Sequence, residues 1–153
     1  MEKIFFSTTF GGETLSLAAS IATINKIKQH NVIKKNNLFG GKLINALNQV
    51  CDELKVKDLI KISEVTWWPQ ILIGTPPIKE ELFISLLRQE FLKSGLLLGA
   101  TFNLCFAHTQ SGILELTIKS FRESIKNVKQ YLNSGDPEKN LKGEFIQKTF
   151  KVR

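Results

Sequence analysis

A chain of 153 residues with 42% hydrophobic and 23% charged side chains has the composition of one compact domain, or of a lobe of a larger protein, and not of a disordered polymer. Its 21 basic and 14 acidic residues leave a net charge of +7, but 18 of the 21 are lysines scattered among acidic residues and only three are arginines. That is a solvated basic surface; base reading and stacking favour arginine, so no nucleic-acid partner is expected.

No apolar run approaches the length that spans a bilayer, so no membrane partner is expected. The start, Met1 to Phe6, carries one lysine and three consecutive apolar residues, too short for a secretion signal, which makes the cytoplasm the expected compartment. Cys51 and Cys105 are far apart and show no metal-type spacing. Both fall within apolar patterns and are expected as buried free thiols. Only His30 and His108 could add imidazole ligands, and no acidic cluster surrounds either in sequence, so no metal site is expected.

In chain order, residues 4–10 are apolar and β-prone and end at Gly11-Gly12. A helix is predicted over 14–30, with Leu17, Ile21 and Ile24 on one face and Ala18 and Ala22 beside them. Asn36 and Asn37 offer a cap for a second helix over 40–54, striped by Leu43, Leu47, Val50 and Leu54. Residues 59–65 and 67–74 read as strands, and Pro76-Pro77 then breaks the chain. A third helix over 78–94 faces the core with Phe83, Leu87 and Phe91 and stops at Gly95. Residues 96–98 and 102–107 read as two more short strands. Thr109 then caps a fourth helix over 110–132, whose stripe is Leu114, Ile118, Phe121, Ile125, Val128 and Leu132. Residues 133–153 are polar, basic and turn-rich. The order predicts an α+β fold, with a small, largely antiparallel sheet covered by helices.

The stretch Ser7-Thr8-Thr9-Phe10-Gly11-Gly12-Glu13 carries the chemistry. Glycines beside hydroxyl residues at a helix start can form an anion site, because the first helical N–H groups are unpaired and the dipole favours negative charge there. The same residues also suit a plain glycine turn with Thr9 or Glu13 as the helix cap. Glu13 at that position suits a partner of the helix dipole. His108, beside a helix cap, suits a local hydrogen bond. Of Trp67 and Trp68, one is expected to pack and the other to line a cleft or a subunit contact.

Phe5-Phe6-Ser7-Thr8-Thr9-Phe10-Gly11-Gly12-Glu13-Thr14-Leu15-Ser16-Leu17-Ala18-Ala19 resembles a segment of the class III aminotransferases, in which a Gly-Thr pair precedes a Gly-Asn-Pro-type turn and an Ala-rich helix. Thr9 falls on the family threonine, Thr8 stands where glycine is usual, and Glu13-Thr14 replace Asn-Pro. The Gly-Gly-Glu form is similar to the branch of glutamate-1-semialdehyde aminomutase. Phe102-Asn103-Leu104-Cys105-Phe106-Ala107-His108-Thr109 resembles the aminomutase strand ending in Ala-His-Thr, although Gln110-Ser111-Gly112 follow where that family is acidic. At the position of Cys105 many class III aminotransferases carry an arginine that pairs with the substrate carboxylate, which a thiol cannot do. Residues 141–153 resemble the C-terminal ending of the same branch.

The resemblance implies the C-terminal small domain of a fold-type I pyridoxal-phosphate enzyme. Residues 1–13 would be a connecting segment with the phosphate anchor, 14–132 the small α+β domain, and 133–153 a polar basic tail. Thr9, with Thr8 beside it, would bind the phosphate of pyridoxal phosphate held by the partner subunit of a dimer. The family's Schiff-base lysine, its aspartate at the pyridine nitrogen and its ring-stacking aromatic all lie upstream of the Thr9 segment, so no catalytic residue is assigned here. A fragment or split subunit is therefore expected, completed by a large pyridoxal-phosphate-binding domain or a second subunit in a homo- or hetero-oligomer acting on a small amino-group substrate. The alternative is a free-standing basic α+β binding or interaction module without catalysis.

Overall fold

A computed structural model describes residues 9–97, 99–144 and 146. The chain divides into two compact units, Met1–Lys35 and Asn36–Arg153. The first unit holds α1 (Thr14–Gln29) and the start of α2 (Val32–Glu53). The second holds the rest of α2, an antiparallel pair β1 (Ile60–Ile62) and β2 (Ile71–Ile73), α3 (Glu80–Lys93) and α4 (Ile113–Leu132). The fold class is α+β, with a two-stranded antiparallel sheet and four α-helices among the described residues.

In Asn36–Arg153 the helical stripes meet as their period predicts. Leu43, Leu47 and Val50 of α2, Phe83, Leu87 and Phe91 of α3, and Phe121, Ile125 and Val128 of α4 share one buried cluster with Ile60, Ile62 and Ile71 of the sheet. Phe91 and Phe121 stack with centroids 5.7 Å apart, joining α3 to α4. Burying each such side chain contributes about 1.5–3 kcal/mol. In β1, Ile60 and Ile62 point inward and Lys61 outward, the alternation that a half-covered strand requires. The register pairs Ile60 with Ile73 and Ile62 with Ile71.

Several elements depart from the predicted ones. The second helix begins at Val32, so Asn36 and Asn37 lie inside it and cap nothing. Gly40, inside α2, serves a close approach: a Cβ there would sit 1.7 Å from the backbone oxygen of Thr66. The predicted strands at 96–98 and 102–107 do not form among the described residues. Ile71 donates its N–H to the Ala100 carbonyl at 2.8 Å and Phe102 to that of Pro69 at 2.8 Å, and Gln70 and Thr101 form one isolated bridge. Gly95, at φ +80°, turns the chain into this segment, and Leu97 stands almost fully exposed, so the apolar run is not paired into a ladder. Leu98 lies outside the described residues. Phe106–Thr109 is a 3₁₀ turn, and α4 starts only after Gly112, whose φ of +84° supplies the cap conformation. Thr109 donates its hydroxyl to the Phe106 carbonyl at 2.8 Å instead of capping α4.

After α4, residues 137–146 return to α3. Gln89 donates to the Asn140 carbonyl at 2.9 Å and accepts the Lys142 N–H at 2.7 Å, and Ser85 Oγ accepts the Ile146 N–H at 2.8 Å. Leu141 packs against the core between those contacts.

Candidate cofactor-anchor site

Residues 9–12 form turns, closed by the Glu13 N–H donating to the Phe10 carbonyl at 3.1 Å. Thr9 lies exposed on this turn. Thr8 lies outside the described residues. The turn delivers Glu13 to the N-cap of α1 in an extended conformation, φ −70° and ψ 122°. Its carboxylate accepts the N–H groups of Leu15 at 3.0 Å and Ser16 at 2.7 Å, and the Ser16 hydroxyl as well. The Ser16 hydroxyl, followed by the Ser16 and Leu15 amides, holds the Glu13 carboxyl below the usual range, so it is charged at neutral pH.

Two readings of the motif stood open, and the geometry realises the cap at Glu13. The donors that a helix start offers to an anion are taken by a carboxylate of the same chain. A phosphate at that spot would face the Glu13 charge, so the start of α1 does not fit one. The exposed Thr9 hydroxyl does fit a phosphate oxygen as a donor.

The second motif gathers in Asn36–Arg153. His108 Nδ1 accepts the Cys105 N–H at 3.0 Å, the local hydrogen bond expected of it. Cys105 is exposed, against the expectation of burial, because the 3₁₀ turn that replaces the strand no longer alternates its side chains into the core. Cys51 is buried as expected, and burial pushes its thiol up to about 11, with Lys57 opposing, which makes it a poor nucleophile at neutral pH. Trp67 and Trp68 stack with centroids 6.2 Å apart, and Trp68 Nε1 donates to Asn103 Oδ1 at 3.1 Å. Both indoles are open to solvent, Trp67 at 66%. An open cavity of about 430 Å³ lies between Phe39, Leu96, Phe102, His108 and Thr117. Among the described residues no group of three or more His, Cys, Asp or Glu side chains could hold a metal ion. None of the described helices is long and apolar enough to cross a membrane.

One buried charge had no counterpart in the sequence reading. Glu90, 1% exposed on α3, accepts from Lys93 at 2.5 Å, Asn127 at 2.9 Å, and Tyr131 and Gln89 at 3.2 Å. Burial works to raise its pKa, but these donors outweigh burial and hold the carboxyl below the usual range. Its signal was a glutamate four residues after Leu86 and next to Phe91, on the apolar side of α3. The network ties α3 to α4 and is structural.

No family model and no curated protein matches this chain. Among solved structures it is similar to the FumI protein of Sphingopyxis sp. MTA144, described in its PLP internal aldimine form, at 20% identity and a TM-score of 0.72. The likeness covers 90% of this chain and 33% of that one, so the chain spans about a third of the length of the protein it matches. It shares the fold of a third of a pyridoxal-phosphate protein.

Proposed function

We propose that this chain is one part of a pyridoxal-phosphate-dependent aminotransferase or aminomutase of the glutamate-1-semialdehyde aminomutase type, and that it lends a hydroxyl contact to the cofactor phosphate across a dimer. The observation that carries the reading is the fold, shared over 90% of the chain with a third of a protein that holds this cofactor. The Ser7–Glu13 and Phe102–Thr109 motifs support it in sequence.

Pyridoxal phosphate, when bound, supplies the aldehyde and the electron-withdrawing ring for chemistry at a substrate amine. Thr9 would donate its hydroxyl to a phosphate oxygen, with Thr8 as a second hydroxyl beside it. Glu13 holds α1 in register through the Leu15 and Ser16 amides and thereby sets where the turn presents Thr9. A thiol at Cys105, where related enzymes pair an arginine with a carboxylate, favours a substrate that needs no such pair.

The test is to isolate the chain from its own cells in its native assembly and reduce with borohydride. A pyridoxyl-lysine recovered near one per assembly unit, at a lysine outside residues 1–153, is the expected result. Its absence, or its recovery at a lysine of this chain, contradicts the reading. Thr9→Val in the same assembly should weaken cofactor retention about tenfold, the effect of losing one hydrogen bond to a charged group.

A further inference from the structure

The open cavity of about 430 Å³ lies within Asn36–Arg153, walled by Phe39 and Leu43 of α2, Phe102, and Ile113 of α4. A concave, mostly apolar space of this size with a few convergent polar groups is what a small-molecule site requires. Four polar side chains line it: Thr101, Asn103, His108 and Thr117. Hydrogen bonds within the chain decide what each can still offer. His108 Nδ1 accepts the Cys105 N–H at 3.0 Å, so the proton of the neutral ring is on Nε2. Cys105 does not line the cavity, so the Nε2–H edge is the one left for it. The ring makes no other hydrogen bond among the described residues. Asn103 Oδ1 accepts from Trp68 Nε1 at 3.1 Å and from the Thr101 hydroxyl at 3.4 Å, which orients the amide and leaves its NH₂ to donate. Thr117 donates its hydroxyl to the Ile113 carbonyl at 2.7 Å, so both threonines have already placed their protons within the chain. The donors that remain are His108 Nε2–H and the Asn103 amide.

We propose that this cavity binds an uncharged carbonyl compound with an apolar chain, a carboxamide or a ketone. The chain lies among Phe39, Leu43, Phe102 and Ile113, and the carbonyl oxygen accepts from His108 Nε2–H and the Asn103 amide. The lining sets the charge of the ligand. Among the described residues no Asp, Glu, Lys or Arg lines the cavity, so a carboxylate or an ammonium would enter without a counter-ion. An unpaired charge is costly to take out of water. A purely apolar occupant would leave both donors without an acceptor, which is also costly. No residue of Met1–Lys35 lines the cavity, so the proposal does not depend on the phosphate contact at Thr9.

The experiment titrates the full chain with hexanamide, 2-heptanone and hexanoate, which share one pentyl chain and differ only in the group on the carbonyl. Nitrogen resonances of the His108 ring and backbone amides are followed by NMR. Both neutral probes should shift His108 Nε2 and the amides of Phe102 and Ile113 saturably, and hexanoate should bind at least about tenfold more weakly. His108→Phe keeps a ring and removes the donor, and should weaken hexanamide binding about tenfold. Thr117→Phe fills the space and should abolish it. Should either variant fail to fold, the His108 Nε2 shift in the unaltered chain decides alone. Absence of a saturable shift, hexanoate binding as tightly as hexanamide, or unchanged affinity in folded His108→Phe overturns the proposal. Calorimetric titration of hexanamide into the native assembly should give the same affinity. Loss of binding there would show that another polypeptide fills the cavity, and overturns the proposal as well.

Discussion

The carboxylate of Glu13 accepts the backbone N–H of Ser16 at 2.7 Å, and this contact places a negative charge on the helix start that the Gly-Gly motif would otherwise offer to an anion. The chain thus supplies its own counter-ion to α1.

Glu13 should make α1 pH-dependent. Its folded carboxyl is held below the ordinary range, chiefly by the Ser16 hydroxyl, so the cap persists above the ordinary glutamate pKa and is lost as pH falls through the lower folded value. Protection of the Leu15 and Ser16 amides, taken against the intrinsic exchange rate at each pH, should therefore fall as pH drops through that lowered value. In Glu13→Gln the side chain is uncharged throughout, and this step should be missing. Equal pH profiles in the two proteins would contradict the cap.

Gly40 and Gly41 should respond oppositely to alanine. A Cβ on Gly40 meets the Thr66 carbonyl oxygen at 1.7 Å, whereas one on Gly41 meets only the Thr66 methyl at 3.9 Å. Gly40→Ala must push α2 away from the Thr66 loop and should cost about 2–4 kcal/mol, in the range of overpacked cores. Gly41→Ala should stabilise by up to about 1 kcal/mol through helix propensity. Urea unfolding of the two variants checks the pair, and a similar loss in both would show that Thr66 does not approach as closely as described.

Glu90→Gln should lower stability by about 2 kcal/mol at neutral pH, because one donor of the new amide is left facing Lys93, Asn127 and Tyr131. The folded carboxyl sits below its ordinary value, so its contribution is present above about pH 4.3 and is lost as pH falls through the folded pKa. The stability gap between variant and parent should shrink on acidification. A gap that is constant with pH would mean the buried charge contributes nothing.

Periodicity made the helices of Asn36–Arg153 legible, since Phe121, Ile125 and Val128 bury where a 3.6-residue period puts them. It could not see that Gly40 sits mid-helix for the sake of Thr66, because that contact is formed by residues far apart in the chain. The strands expected at 96–98 and 102–107 failed for a related reason. Three leucines between two glycines satisfy a strand pattern, but strand formation needs a partner ladder, and among the described residues this segment forms one isolated bridge, Gln70 to Thr101. At the candidate site the sequence offered both a phosphate cradle and a cap for the same residues. Only the direction of the Glu13 carboxylate separates them. Glu90 escaped notice because a single charge in an apolar stripe reads as a surface position until its four donors converge.

The central claim is that this chain completes a pyridoxal-phosphate site without holding the cofactor covalently itself, and the most direct measurement uses residues 1–153 purified alone. Mixed with pyridoxal phosphate, reduced with borohydride and mapped by peptide mass, the chain should show low, scattered labelling across its 18 lysines with no preferred position. Stoichiometric labelling of a single lysine would contradict the account, because it would place the imine-forming amine within this chain.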